Sequence, residues 1–344
     1  MGWQWPASAS AFPAPVHGGP DAQGVPLHDF SSNANAAGPL PTVAEAVARA
    51  DRSRYPDPGY HALREQLAAW HGVAPARVVV AGSASEFIHR FSAVAARWRG
   101  VQRAVVPRPG YGDYAAAAHA AGLQVCGHGL APTSGDLWWI TEPMSPGGAS
   151  HGAALGPLIA QAHAAGACVV LDLAYQPLRF DGGKLAAHAA LAWQLWAPNK
   201  ACGLPGVRAA YAVAPVGDEP AAEALRAQAP SWVAGAEGAA LLASFATAAA
   251  QAELAAHRGL LRAWRDALAA TLRAAQWQVQ DTASVTPFFT ARPHHAPDPD
   301  WAAWRNQGLK LRDTTRMGLP GWWRLSAQPP HSLQALRHAL EAGR

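Results

Sequence analysis

The chain has 344 residues, of which 50% are hydrophobic and 15% are charged, a composition that excludes disordered and coiled-coil classes. Its length exceeds the size at which a single hydrophobic core stops growing, so we expect two domains. The net charge of +4 comes from 27 basic and 23 acidic residues scattered along the chain, which argues against nucleic acid as a partner.

From about residue 60 the sequence alternates between helical and strand patterns. The predicted strands are apolar throughout, which is typical of strands buried on both faces, so they indicate an α/β fold with a mainly parallel sheet flanked by helices. The predicted strands lie at 77–80, 104–106, 123–126, 137–141, 167–172, 193–196 and 211–213. The predicted helices lie at 61–70, at 86–98, after Tyr111 and at 156–165.

After residue 213 the pattern changes to long alanine-rich helices that run to about residue 275, broken near Pro230, Gly235 and Gly238. The remainder predicts a small α+β domain with a closing helix that begins at Ser332. Its strands are predicted at 277–280, 285–291, 309–312 and 322–327. We therefore predict an N-terminal arm that joins the small domain (1–38), a large domain (39–240) and a small C-terminal domain (241–344).

Three cysteines, Cys126, Cys168 and Cys202, lie far apart and form no CxxC pair, which disfavours a disulfide framework and a zinc site and fits a reducing cytoplasm. A metal site on His294 and His295 is also disfavoured, because this pair lies in a proline-rich loop without a third ligand nearby. The N-terminus lacks a basic start and an apolar core, so we expect neither a signal peptide nor a membrane anchor.

Residues that directly follow the predicted strands are candidates for a ligand site, because doubly wound sheets bind ligands at the carboxyl ends of their strands. Ser83, Ala84 and Ser85 precede a predicted helix, where hydroxyls and free amides can bind an anion. A simple helix-capping role for Ser85 is an equally good interpretation. Tyr111 follows another strand and either stacks on a flat ligand or packs in a surface turn.

Asp172 and Lys200 each follow a buried strand. A desolvated aspartate needs a cationic or hydrogen-bonding partner, and an ion pair with an arginine is the structural alternative. A lysine amine in a low-dielectric pocket becomes nucleophilic toward carbonyls, although a lone lysine at a strand end is usually a surface charge. An anion cradle, an aromatic face, an acid that can protonate a ring nitrogen and a Schiff-base lysine together indicate pyridoxal 5'-phosphate (PLP) as the cofactor.

These residues lie in segments that resemble the class I/II aminotransferases, which have PLP-dependent fold type I, and the resemblance covers nearly the whole chain. The segment APNKACGLPGVRAAY is similar to the family's SxSKxxGLxGxRxGY. This implies that Lys200 binds PLP through a Schiff base and that Arg208 binds its phosphate. The segment DLAY is similar to the family's DEAY, which implies that Asp172 pairs with the pyridine nitrogen and that Tyr175 reaches the ring hydroxyl.

Two further segments carry the resemblance, and the chain also departs from the family's pattern. EPMSPGG is similar to NPNNPTG and places Ser145 where the family has the asparagine that binds the ring oxygen, while WWRLSA places Arg324 at the carboxylate-binding arginine. Ala197 replaces a serine and Leu173 replaces an acidic residue. These replacements leave open a non-catalytic PLP-fold binding protein as an alternative.

Within the family, the chain resembles the branch that contains histidinol-phosphate aminotransferase and threonine-phosphate decarboxylase. RYPDPGYHALREQLA is similar to a segment of this branch and implies a homodimer in which Tyr55 reaches the partner's cofactor phosphate. LRDTTRMGLPGWWRLS resembles the branch's ending and implies that Arg312 binds a substrate phosphate and Arg324 a carboxylate. VHGG and DFSSNANAAGP resemble segments of the cobalamin-pathway decarboxylases and make His17 and Asn35 candidates for substrate binding.

The sequence therefore leaves three functions open. The first is transamination of a small amino acid, phosphorylated or aromatic. The second is decarboxylation of L-threonine O-3-phosphate, and the third is PLP binding without catalysis. Trp322 and Trp323, next to Arg324, are further candidates for the wall of the substrate pocket.

Overall fold

The computed structural model describes residues 17–181, 185, 187–294 and 299–342. Within these residues, one sheet contains β2 (Val78–Ala81), β3 (Arg103–Val106), β4 (Gln124–Gly127), β5 (Asp136–Thr141), β6 (Cys168–Asp172), β7 (Trp193–Trp196) and β8 (Ala210–Val213). Their order is β2-β8-β7-β6-β5-β3-β4. All neighbouring pairs from β7 to β4 are parallel, whereas β8 is antiparallel to both β7 and β2. The prediction of a mainly parallel sheet is confirmed.

Both faces of this sheet are buried, because successive side chains of a strand point to opposite faces. In β5, Trp138 and Ile140 contribute to one apolar cluster, and Leu137 and Trp139 to the other. The helices that supply the covering layers are α1 (Pro41–Ala48), α2 (His61–His71), α3 (Ala84–Trp98), α4 (Gly112–Ala120), α5 (Leu155–Ala164), α6 (Glu219–Ala227) and α7 (Ala236–Phe245). The apolar runs of the sequence are therefore explained by burial on two sides.

A smaller antiparallel sheet has the order β12-β13-β10-β9. Its strands are β9 (Trp277–Gln280), β10 (Phe288–Pro293), β12 (Arg312–Asp313) and β13 (Trp323–Ser326). The helices after α7 are α8 (Ala248–Ala274), α9 (Trp301–Asn306) and α10 (Pro330–Ala342). A further pair of strands connects the N-terminal segment to this region. In this pair, β1 (His28–Asp29) is parallel to β11 (Leu309–Lys310).

Several predicted boundaries were wrong. The strand expected at 309–312 is divided between β11 and β12, which belong to different sheets. The last helix begins at Pro330 rather than at Ser332, and Gly238 lies inside α7. The predicted break at Pro230 and Gly235 is confirmed, because both residues lie between α6 and α7. A second break falls before α8, where the side chain of Thr247 accepts a hydrogen bond from the N–H of Ala250 and caps the new helix.

In the described part of the chain, no single helix is long and apolar enough to cross a membrane. The pair formed by α7 and α8 meets the requirements of length and composition together, but it is bent by 77°.

Candidate active site

A cavity of about 960 Å³ lies where β2, β3, β5, β6 and β7 end. The carboxyl ends of parallel strands meet at one edge of a sheet, so residues distant in sequence are brought together there. The predicted site residues that line the cavity are His17, Ser83, Ala84, Ser85, Tyr111, Ser145, Asp172, Tyr175, Lys200, Arg208, Arg312 and Arg324. Tyr55 and Asn35 are not among the described residues that line it.

Lys200 lies in a turn that follows β7, and its Nζ is 4.9 Å from the centre of the Tyr175 ring. The turn is closed by a hydrogen bond from the N–H of Cys202 to the carbonyl of Pro198, at 2.8 Å. Asn199 is buried, and its side-chain amide donates to the carbonyl oxygens of later residues in the loop, at 3.2 and 3.3 Å. We had not singled out Asn199 from the sequence, although asparagine next to a glycine-containing turn is a common turn-forming signal.

The N-terminal segment packs against the Lys200 turn and donates hydrogen bonds to its backbone. The backbone N–H of Asn35 donates to the carbonyl of Lys200 at 2.8 Å, and its side-chain amide donates to the carbonyl of Ala201 at 3.0 Å. Gly203 has a φ of +70°, and a Cβ at this position would lie 2.4 Å from the carbonyl oxygen of Gly38. Asn35 therefore lies behind the lysine rather than on the cavity wall, and its substrate contact stays a prediction.

Asp172 ends β6 as a buried carboxylate. Its Oδ2 accepts a hydrogen bond from the Tyr114 hydroxyl at 2.6 Å, and its Oδ1 accepts one from the N–H of Ala174 at 2.9 Å. Burial raises the pKa of Asp172 above its ordinary value, although these hydrogen bonds and the charge of Lys200 act in the opposite direction. A cationic group in the cavity would stabilise the ionised form of this carboxylate.

Tyr114 and Thr141 belong to the Asp172 environment and were not identified from the sequence. The two hydroxyl oxygens lie 3.0 Å apart, and both residues line the cavity. Tyr114 is three residues after Tyr111 on α4, a spacing at which two helical side chains are neighbours. That spacing was the available signal, but only the position of β6 shows that Tyr114 reaches a carboxylate.

Three of the predicted cofactor-binding side chains surround this region. Tyr111 packs edge-to-face on Tyr114 with ring centres 5.7 Å apart, and its hydroxyl donates to Asp113 at 2.7 Å. Ser145 is buried on the cavity wall. Burial alone would raise the pKa of Tyr175, but the positive charge of Lys200 and the nearby Arg324 outweigh this effect and lower that pKa below its ordinary value.

The N-terminus of α3 forms another part of the wall. The Ser83 Oγ accepts a hydrogen bond from the N–H of Glu86 at 3.0 Å, and the Glu86 carboxylate accepts one from the N–H of Gly82 at 3.1 Å. The first of these bonds is an N-cap, so the capping residue is Ser83 and not Ser85. Ser85 and Arg208 line the cavity beside this helix end, where the helix dipole and a guanidinium both favour an anion.

Arg312 and Arg324 are buried cavity residues that face each other across β12 and β13. Among the described residues, Arg312 Nη1 and Arg324 Nε have no hydrogen-bond partner, while Arg324 Nη2 donates to the carbonyl of Ser31 at 2.8 Å. Burial lowers the pKa of both guanidinium groups, and the charge of Arg324 lowers that of Arg312 further. Two buried cations with unused donors form a site suited to anions.

Tyr55 lies on the surface with 75% of its area exposed, and it stacks on Trp232 with ring centres 4.1 Å apart. Trp232 has a φ of +51°, which is uncommon for a bulky residue. In the described part of the chain, neither Trp322 nor Trp323 lines the cavity. The ring of Trp323 lies instead against that of Trp301, with centres 3.7 Å apart.

Comparison with known proteins decides the family. The sequence profile described as "Aminotransferase class I and II" matches residues 25–127 and 138–342. The chain belongs to this family. Its members depend on PLP, so the prediction of the family and its cofactor is confirmed.

Individual curated relatives of this aminotransferase-family chain match only short parts of it. A "Histidinol-phosphate aminotransferase 2" of Caulobacter vibrioides is 48% identical over 68 residues, which are 19% of this chain and 18% of that protein. The matches span between 16% and 22% of the length of the curated relatives.

Two solved structures share the fold. The histidinol-phosphate aminotransferase from Sinorhizobium meliloti, in complex with PLP, has a TM-score of 0.72 at 18% identity and covers 90% of each chain. The L-threonine-O-3-phosphate decarboxylase from Porphyromonas gingivalis has a TM-score of 0.75 at 20% identity over 91% of this chain and 98% of that one. The predicted PLP-dependent transferase fold is therefore confirmed.

The residues of the cavity fit the family's cofactor. Asp172 is a buried carboxylate on the cavity wall whose ionised form a protonated ring nitrogen would stabilise. The N-terminus of α3 with Ser85 and Arg208 offers donors for a phosphate, and Lys200 supplies the amine. No group of three or more metal-ligating side chains occurs among the described residues, and His295, one half of the disfavoured metal pair, lies outside them.

Proposed function

We propose that this protein is a PLP-dependent aminotransferase that acts on a small amino acid carrying a second anionic group, such as a phosphate. One observation carries the proposal: Lys200 and Asp172 share a cavity with the buried Arg312 and Arg324. Lysine and aspartate fit the cofactor, and two arginines with unused donors fit a substrate with two anionic groups.

Each side chain has a defined task in such a reaction. Lys200 would hold the cofactor, and its amine would move the proton at the substrate Cα as a general base. Asp172 would keep the ring nitrogen protonated. The bound cofactor supplies an electron sink for the bond that breaks at Cα. Tyr175 and Ser145 would bind the ring oxygen, and Tyr111 would stack on the ring.

The two arginines would select the bond that breaks, because they would set the orientation of the substrate relative to Lys200. An orientation in which Arg324 holds the carboxylate and Lys200 reaches the Cα proton would favour transamination. An orientation in which the carboxylate itself is positioned to leave would favour release of carbon dioxide. The proposal is supported by the pairing of Arg312 with Arg324 on neighbouring strands.

The second candidate function is decarboxylation of L-threonine O-3-phosphate in cobalamin biosynthesis. It is favoured by the segment VHGG, because His17 and Gly18 line the same cavity as the two arginines. It is also favoured by the shared fold of the Porphyromonas gingivalis decarboxylase. His17 would add a further donor to a substrate phosphate.

One assay separates these candidates. Purified protein is loaded with PLP and incubated with histidinol phosphate, L-threonine O-3-phosphate or unphosphorylated amino acids, with and without 2-oxoglutarate. Transamination predicts conversion of the cofactor spectrum to the pyridoxamine form and formation of glutamate. Release of carbon dioxide from L-threonine O-3-phosphate without any glutamate would select the decarboxylase, and a loaded protein inert toward every donor would contradict both.

A homodimer in the cytoplasm completes the proposal. The exposed Tyr55 would reach the phosphate of the partner's cofactor, which explains why an aromatic stack lies on the surface of one chain. Mixed dimers test this directly, because Lys200→Ala and Tyr55→Ala inactivate different sites. If Tyr55 acts across the interface, hybrids of the two inactive variants regain one intact site. Activity that stays absent in the hybrids would show that Tyr55 serves its own chain.

A further inference from the structure

Behind the cavity wall lies a second set of buried polar groups, which we call the Glu142 cluster and which consists of Glu142, Ser150, His151 and Arg179. The Glu142 side chain is 0% exposed. Its Oε1 accepts hydrogen bonds from the Ser150 hydroxyl and from Arg179 Nη1. Its Oε2 accepts a hydrogen bond from the backbone N–H of His151 and lies 2.9 Å from the Nδ1 of the same residue. Both carboxylate oxygens therefore have partners.

The cluster joins the two loops that carry the hydroxyls of the cavity. Glu142 directly follows β5 and precedes Ser145 by three residues, and its backbone N–H donates to the carbonyl of Asp172 at 2.9 Å. Arg179 follows Tyr175 by four residues in the loop after β6. The contact between Glu142 and Arg179 therefore closes a connection from the Ser145 loop to the Tyr175 loop.

We infer that Glu142 is a positioning residue that fixes the Ser145 loop against the Tyr175 loop, so that both hydroxyls are held where the cofactor's ring oxygen binds. This inference rests on the proposed function, since it needs PLP in the cavity. A buried ion pair is weak evidence for a stabilising role, because well-packed apolar side chains often replace such pairs at no cost in stability. Precise placement of side chains, in contrast, requires locked supporting contacts, and the cluster supplies them.

Glu142 is ionised under neutral conditions. Burial opposes ionisation, but the hydrogen bonds from His151 and Ser150 outweigh it and hold the pKa of Glu142 below its ordinary value. Arg179 also pairs with Asp181 at 2.6 Å, so it retains an anionic partner when Glu142 is neutralised. A Glu142→Gln substitution therefore removes the charge of the connection between the loops and weakens it, without leaving Arg179 unpaired.

The experiment compares PLP binding with stability in three variants. Glu142→Gln weakens the connection, and the double variant Glu142→Met/Arg179→Met replaces the pair with apolar side chains of similar length. The matched control is Asp136→Asn, which breaks another buried ion pair, with Arg103, at the opposite ends of β5 and β3. For each protein we measure the PLP dissociation constant, the visible absorbance spectrum with PLP bound and the thermal midpoint without PLP.

We expect both cluster variants to weaken PLP binding by about tenfold, the effect of losing one hydrogen bond, and to shift the visible absorbance. The double variant should keep a thermal midpoint near that of the wild type. Asp136→Asn should lower the midpoint and leave the spectrum unchanged. If the cluster variants behave like Asp136→Asn, the cluster is merely structural and the inference is wrong. If the wild-type protein takes up no PLP, the proposed function fails first, and the inference fails with it.

Discussion

This protein contains two buried sets of charges, and they differ in how their hydrogen-bonding capacity is used. In the Glu142 cluster, each carboxylate oxygen has a protein partner. On the cavity wall, Arg312 Nη1 and Arg324 Nε have none among the residues that the structure describes. Because a buried charge without a partner is costly, the unused donors indicate groups kept available for a ligand.

The two sets therefore differ in what their variants are expected to change. The carboxylate of the Glu142 cluster has its hydrogen-bond partners within the chain, so variants of this cluster should change the position of the neighbouring loops. Arg312 and Arg324 keep unused donors in the described structure, so their variants should act on binding and turnover and have little effect on folding. Stability and activity therefore have to be measured on the same variants.

The largest effect is expected at Lys200. Lys200→Ala should abolish the visible absorbance of bound PLP and lower turnover by about 10²–10⁴-fold, because the amine is both attachment point and proposed base. Lys310→Ala is the matched control, since Lys310 pairs with Asp21 at 2.9 Å outside the cavity. Persistence of the absorbance in Lys200→Ala, or its loss in the control, would place the cofactor lysine elsewhere.

The second largest effect is expected for the buried carboxylate of Asp172. Asp172→Asn should lower turnover by about a hundredfold or more, because it removes the preorganised charge that we propose for the ring nitrogen. Tyr114→Phe removes only the hydrogen bond of 2.6 Å to this carboxylate and should cost about tenfold. Steady-state rates for the two variants give the comparison. Equal losses would mean that the hydroxyl of Tyr114 contributes as much as the charge.

Substitution of the two arginines one at a time tests whether they bind different groups of the substrate. Arg312→Gln should raise the KM for a phosphorylated substrate by roughly 10- to 100-fold, the effect of losing charge-assisted hydrogen bonds, and should change the KM of an unphosphorylated amino acid little. Arg324→Gln should affect every amino-acid substrate that carries a carboxylate. The measurement is KM for matched phosphorylated and unphosphorylated pairs, and identical profiles for both variants would contradict separate subsites.

The Lys200 turn can also be disturbed without changing any charge. Gly203→Ala should lower the free energy of unfolding by about 1–3 kcal/mol, because alanine is strained at positive φ and its Cβ would meet the carbonyl of Gly38. Gly206→Ala is the control, since no atom lies near the place of its Cβ. Denaturant unfolding of both variants measures the difference in the free energy of unfolding. Equal values would show that the N-terminal segment does not pack closely against the turn.

The smallest effect concerns His71, a half-buried side chain outside both sets of charges. Burial lowers its pKa from 6.5 to about 4, and its Nε2 lies 2.9 Å from the Tyr211 hydroxyl. The unfolded chain therefore takes up a proton before the folded protein does, and stability should fall as the pH decreases from 6.5 through about 4. His71→Gln should make urea unfolding less dependent on pH in this range, and an unchanged dependence would exclude His71 as its source.

Much of the cavity wall follows from local sequence. Asp172, Lys200 and Tyr111 were identified because each lies at the end of an apolar strand or in the loop after it, and the carboxyl ends of parallel strands meet at one edge. Tyr114 was missed because its role depends on the distance between α4 and the end of β6, which no local pattern encodes. The Glu142 cluster was missed for the same reason, since its members come from two loops separated by a strand and a helix.

By itself, the sequence determined the alternation of strands and helices, the mainly parallel sheet and the family's motifs, because periodicity, turn residues and short-range spacing are local properties. The tertiary structure decided which strand ends share a cavity, that Asn35 supports the lysine turn from behind, and that the strand expected at 309–312 is divided between two sheets. These features depend on packing between distant segments, where burial and hydrogen-bond satisfaction select one arrangement among many that the local pattern allows.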